Sequence, residues 1–239
     1  NDAGYLNGHT PFSALLAFTT LIASYLSGSG RIALSNEASA NEATVPGTDI
    51  NHQYSKSYHF EASFRDYVRG KLKLPVDYFS LLRPLNELQI ASLFAREPRF
   101  HSVFRSCNAG SKEDRWCGNC PKCLFTAIIL APYMDDNELR MIFGKDMLED
   151  EALKPWLDEL AGWSDIKPFE CVGTMGEVRT ALGLAAVRRG EGAPSLLRYA
   201  SHRLTKVSGP ALPTELHDPH YLPEQDLDLL HLAVKNTLF

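Results

Sequence analysis

The chain has 239 residues, 24 of them basic and 29 acidic, giving a formal net charge of -5, with 44% hydrophobic content. That balance fits an ordinary globular protein of one large or two small domains, and it excludes a global basic field able to draw nucleic acid or an anionic membrane surface. Any phosphate-bearing ligand must therefore be held by a local group of cations, no nucleic-acid or membrane partner is expected, and nothing in the sequence sets an oligomeric state.

The chain begins at Asn1, without Met, in a polar segment leading straight into an apolar one, which suggests a piece of a longer polypeptide. Thr10-Pro11 predicts a helix start, with the hydroxyl capping and the proline at the first helical position. From Phe12 to Leu26 the chain is mostly apolar, but these 15 residues include Ser13, Thr19, Thr20 and Ser24. They are too few to span a bilayer and predict a buried helix ending in the SGSG of residues 27 to 30. With no secretory pattern and with clustered thiols, a cytoplasmic location is expected.

Arg31 to Leu34 reads as a short buried strand, followed by Ser35, Asn36 and Glu37 where an open α/β sheet presents its ligand groups. Residues 38 to 56 lack periodicity and predict a long polar loop; residues 57 to 70 predict a helix with Tyr58, Phe60, Phe64, Tyr67 and Val68 on its apolar face. Tyr78 to Leu82 is a second strand candidate, with Ser80 and Arg83 near its end, and Asn86 to Ala95 reads as a helix. Helices are then predicted over residues 121 to 131, 136 to 143, 147 to 161, 174 to 189, 194 to 204 and 223 to 236. The expected architecture is an α/β part through residue 132 and a helical part over residues 133 to 239.

Four of the five cysteines, Cys107, Cys117, Cys120 and Cys123, have the spacing C-x9-C-x2-C-x2-C, which lets four thiolates surround one ion. That predicts a zinc site, with Gly118 relaxing the turn, Cys120 capping a helix and Pro121 in its first turn. Four ligands leave no open coordination position, so the ion should brace structure and not activate water.

Three polar groups compete for a chemical role. Asn7 and His9 would meet Ser35, Asn36 and Glu37 if the first helix packs on the sheet, although a histidine just before a helix is as readily a cap. His52, Gln53, Ser55 and Lys56 suit phosphate binding or proton transfer, or form a solvated loop. Cys171, beside Glu170 in KPFECVG, is a base or nucleophile if ionised, or a small buried residue. No Walker-type phosphate loop, dinucleotide fingerprint or G-x-S-x-G elbow occurs.

Taken together, NGHTP, LSNEASA, PGTDINHQYSK, YFSLLRPLNEL, SCN, RWCGNCPKC and KPFECVG resemble the bacterial UDP-N-acetylmuramoyl-L-alanyl-L-glutamate epimerase family, MurL, in order from about Asn7 to Gly173. The resemblance implies an isomerase that inverts the terminal L-glutamate of a nucleotide-linked peptidoglycan precursor, consuming ATP with Mg2+ through an acyl-adenylate. It also implies an ATP-pyrophosphatase-type parallel sheet, with residues 1 to 132 as the carboxyl-terminal portion of a nucleotide-binding domain bearing the zinc knuckle. His52, Cys171, Lys56 and Glu37 become candidate catalytic groups, and Asn7, His9, Ser35, Asn36, Gln53, Ser55 and Arg83 candidate substrate contacts. His52 or Cys171 would handle the α-proton, with Lys56 and Arg83 on phosphate or carboxylate. The SGGKDS-like loop of such pyrophosphatases is absent from the sequence. The 7-cyano-7-deazaguanine synthases share the pyrophosphatase fold and a four-cysteine site, so they remain an alternative, as does a non-catalytic zinc-stabilised binding module.

Overall fold

The computed structural model describes residues 11–43, 48, 50–165, 168, 170–204 and 215–236. Asn7 and His9 lie outside these residues, as does the Thr10 cap. Helix α1, Phe12–Ser27, ends on Gly28, whose left-handed φ of 71° stops the helix. Strand β1, Arg31–Leu34, follows. After the polar loop come α2, Tyr58–Asp66, continued by a π turn over Tyr67–Lys71, and then β2, Asp77–Ser80. The strands pair in parallel, Arg31 opposite Asp77 and Leu34 opposite Ser80, joined by a crossover through α2.

Two expectations in this half change. The α1 helix is not buried all round: only Ala17, Leu21 and Ser24 face the core, while Phe12, Ile22, Tyr25 and Leu26 are exposed. A two-stranded sheet covers one stripe of a helix and leaves the rest of its apolar surface open. On α2 the inward stripe is Glu61, Phe64 and Arg65, continued by Val68; Tyr67 points outward. Glu61 and Arg65 occupy core positions because each finds a buried partner, so apolar periodicity alone misplaces that face.

Helix α3, Glu87–Ala95, starts at a capping box in which Asn86 accepts from the Gln89 amide at 2.9 Å and Gln89 accepts from the Asn86 amide at 2.9 Å. A short α4, Pro98–His101, precedes the cysteine window. The remaining elements are α5, Pro121–Leu130; α6, Asp136–Phe143; α7, Lys154–Leu160; α8, Met175–Arg189; α9, Ser195–Arg203; and α10, Glu224–Lys235. The helix expected over residues 147 to 161 is shorter, a 3-10 turn at Glu151–Leu153 leading into α7.

Burial divides into two cores. The smaller joins Ala17, Leu21, Ile32, Phe64, Val68, Val76 and Tyr78 between α1, the strands and α2. The larger centres on α5, almost wholly buried, packed by α3, α7 and α8 and extending through Leu196 and Leu197 of α9. The far end of the chain returns to the first half: the His217 amide donates to Pro84 O at 2.7 Å, Tyr221 stacks on Tyr58 at 5.1 Å, and Arg31 pairs with Asp226. The protein is thus α/β, with a small parallel sheet and a predominantly helical remainder.

Candidate active site and cysteine cluster

The polar residues past the two strands are fixed by a buried network. Glu61, on α2, accepts from the Ser80 amide at 3.1 Å and the Ser80 hydroxyl at 2.6 Å, and pairs with Arg83 at 3.1 Å, both ionic side chains being 1% exposed. Asn36 Nδ2 donates to Ser80 Oγ at 3.1 Å, so strand β2 orients the residue that follows β1. Arg83 also donates to the carbonyl oxygens of Glu37 at 2.7 Å and Lys56 at 2.5 Å. Its guanidinium is engaged inside the protein, and in this geometry it positions two loops without facing a ligand. An ion pair this deep stays charged only because its hydrogen bonds replace lost hydration.

The long loop is ordered by its own side chains. Asn51 accepts from the Gln53 amide at 2.7 Å and donates to Ala40 O at 2.9 Å, making an Asx turn that sets His52. His52, Gln53, Ser55 and Lys56 then line a cavity of 710 Å³, opposite Asn108, Lys122, Glu170 and Cys171. Within it Lys56 Nζ lies 3.5 Å from Gln53 Oε1, and Cys171 Sγ lies 4.0 Å from His52 Nε2. A histidine and a lone thiol 119 positions apart in the chain are therefore neighbours.

A second cavity of 400 Å³ is lined by Ser35, Glu37, Glu87, Ser106, Thr126 and apolar side chains of α3 and α5. Cys171 and Lys122 belong to the walls of both cavities. Burial, with the charges of Glu37 and Glu177 nearby, pushes the Glu87 carboxyl from 4.5 up to about 8 against the pull of Lys56. It is a carboxylic acid largely neutral at pH 7.

Two of these groups are missing from the sequence-level candidates. Glu87 reads as the helix-favouring first residue of α3, and only the fold brings the 170 to 173 loop over it. Lys122, between two ligand-spaced cysteines, could have been noticed, since the helix that follows such a knuckle must point some residue back over it. It is buried and its Nζ lies 3.8 Å from Glu170 Oε2.

Cys107, Cys117, Cys120 and Cys123 place their sulfurs within 4.8 Å of one another, with 3.6 Å between Cys117 and Cys123 and 3.4 Å between Cys120 and Cys123. An M–S bond of about 2.3 Å puts tetrahedral sulfurs roughly 3.8 Å apart, so the cluster could hold one metal ion. Amide donors surround the sulfurs: Gly110 and Cys117 reach Cys107 Sγ at 3.2 and 3.4 Å, and Cys123 reaches Cys120 Sγ at 3.4 Å, capping α5. Gly118 takes φ 68°, where a side chain would be strained and would also meet Lys145.

Comparison with known proteins places the chain. The MurL N-terminal domain matches residues 1–81 and the MurL C-terminal domain residues 100–211. The chain belongs to the MurL family. Similar curated MurL proteins are the UDP-N-acetyl-alpha-D-muramoyl-L-alanyl-L-glutamate epimerases of Xanthomonas oryzae pv. oryzae, 42% identical over 79% of this chain and 44% of that protein, and of Salinispora tropica, 42% identical over 80% and 43%. The protein of the same name from a Micromonospora species is also 42% identical, over 78% of this chain and 43% of its own length. The chain spans less than half the length of these MurL relatives. No solved structure matches it significantly. Among the described residues no helix is long and apolar enough to cross a membrane.

Proposed function

We propose that this chain carries the proton-transfer machinery of a MurL epimerase, converting the terminal L-glutamate of UDP-N-acetylmuramoyl-L-alanyl-L-glutamate to D-glutamate. The observation that carries this reading is the approach of Cys171 Sγ to His52 Nε2 at 4.0 Å in the wall of the larger cavity, one residue from each of the two matched family regions. Relatives named for this epimerisation support the substrate class.

The α-proton of a glutamate carboxylate is weakly acidic, because its removal concentrates charge on a group already anionic. Activation as an acyl-adenylate by ATP with Mg2+ would remove that obstacle by making the carbonyl a sink for the electron pair. No Walker-type or SGGKDS-like loop occurs in this sequence, so no step on the ATP triphosphate is assigned to its residues. The in-register parallel strands are consistent with an ATP-pyrophosphatase-type sheet.

In this reading His52 and Cys171 form the acid–base pair of the larger cavity, and a proton from the α-carbon passes to one of them. Lys56 and Lys122 line that cavity and would hold substrate carboxylate or phosphate. Ser35, Glu37, Gln53 and Ser55, which line the two cavities, would supply hydrogen-bonding groups near the reacting carbon, with Asn7, His9 and the Ser80-bound Asn36 as further contacts proposed on the resemblance alone. Zinc on the four cysteines would hold the knuckle closed and so fix Lys122. Four cysteines clustered at metal-ligand spacing support a reducing, cytoplasmic setting.

Exchange of the substrate α-proton with deuterium tests the reading. His52→Ala and Cys171→Ser in the intact protein are each expected to slow exchange by about 100-fold or more. Exchange unchanged in both variants would sink the assignment.

A further inference from the structure

We propose that Glu87 is the second acid–base group of the site, delivering a proton to the α-carbon from the smaller cavity while the His52–Cys171 pair removes one from the larger. The assignment rests on the epimerase reading above and extends it.

Inversion at a tetrahedral carbon requires a proton to leave one face and another to arrive on the opposite face. A single side chain would have to cross the substrate to do both, whereas two groups on opposite sides need not move. The cavities supply two sides. Cys171 and Lys122 stand in the walls of both, while His52 lines only the larger and Glu87 only the smaller, so a carbon held beside Cys171 would have His52 toward one cavity and Glu87 toward the other.

Glu87 is built for that place. Its backbone amide donates to Glu177 Oε1 at 2.8 Å, which pins the first turn of α3, and Glu177 in turn belongs to the capping box of α8. Its own carboxyl makes no hydrogen bond among the described residues, so its proton is not committed to another protein group. The loop bearing Cys171 lies close above it because Gly173 has no side chain: a Cβ there would fall 3.0 Å from Glu87 Cγ and 2.7 Å from Glu177 Oε2. Facing Glu87 are Glu37, Glu177 and Lys56, with Lys122 in the same cavity wall; burial and the two carboxylates keep it protonated up to about pH 8.

The proton balance closes. His52 or Cys171 accepts the α-proton as the C–H electron pair moves into the activated carbonyl, and the Glu87 O–H proton then bonds to carbon from the other face. Glu87 is left as a carboxylate and regains its proton from solvent.

Deuterium wash-in from each epimer separates the two faces. The intact wild-type protein, given the L-epimer or the D-epimer of the muramoyl dipeptide nucleotide with ATP and Mg2+ in D2O, should label both. Glu87→Gln should still label the L-epimer at close to the wild-type rate, while conversion to the D-epimer and labelling of added D-epimer fall about 100-fold or more. Glu87→Asp, which keeps a carboxyl at shorter reach, should slow conversion without slowing labelling of the L-epimer. Conversion by Glu87→Gln at the wild-type rate, or equal loss of labelling from both epimers in either folded variant, overturns the assignment. Failure of the wild type to label either epimer would instead remove the epimerase reading, and this one with it.

Discussion

Glu87 shapes the stability of the protein as well as its proposed chemistry. Its folded pKa of about 8 lies above the 4.5 of an unhindered carboxyl, so as pH rises the unfolded chain ionises first. The stability linked to this group is therefore complete below about pH 4.5 and is lost as the pH climbs toward 8. Glutamine has nearly the same shape and no charge to suppress. Glu87→Gln is expected to match wild type in urea unfolding near pH 4 and to exceed it near pH 8 by a few kcal/mol, the order of magnitude that such a shift implies. A difference that does not change with pH would show the carboxyl to be open to water. Conversion itself should fall above about pH 8, because an ionised Glu87 has no proton to give.

Elements were more legible than the site. The strand RIAL, the helices expected from residues 86, 136 and 174, and the start of α5 at Cys120-Pro121 all rest on residues whose preferences act within a few positions, so local chemistry is enough to place them. The burial of Glu61, Arg65 and Arg83 was not visible, since each depends on a partner brought near by the sheet. Glu87 was missed for the same reason, its environment being supplied by residues 37 and 177. At α5 the cap and the metal can be separated experimentally. Serine at position 120 still offers an oxygen to the Cys123 amide, so Cys120→Ser should preserve the helix start while removing one metal ligand. Metal content should drop and unfolding free energy should fall by several kcal/mol, on the order of 3 or more. If the variant kept its metal and its stability but lost turnover, the bracing role would be wrong.

At the scale of the whole molecule, the candidate cavities lie between two unequal cores. His52 and Lys56 come from the side of the small core, and Lys122, Glu170 and Cys171 from the side of the large one. The small core buries little and leaves much of α1 open, so it should open locally at lower free energy than the α5 and α8 bundle. Hydrogen exchange should find amides of α1 and β1 at least about tenfold less protected than those of α5, a gap of ~1.4 kcal/mol or more; equal protection would make the two cores one cooperative unit. Arg83 matters most under such loosening. Because one buried guanidinium holds the backbone oxygens behind both Glu37 and Lys56, the two loops are referenced to a common origin that does not involve their side chains. Kinetic effects of replacing Glu37 or Lys56 can then be interpreted as loss of a chemical group, because the main chain that carried it stays anchored.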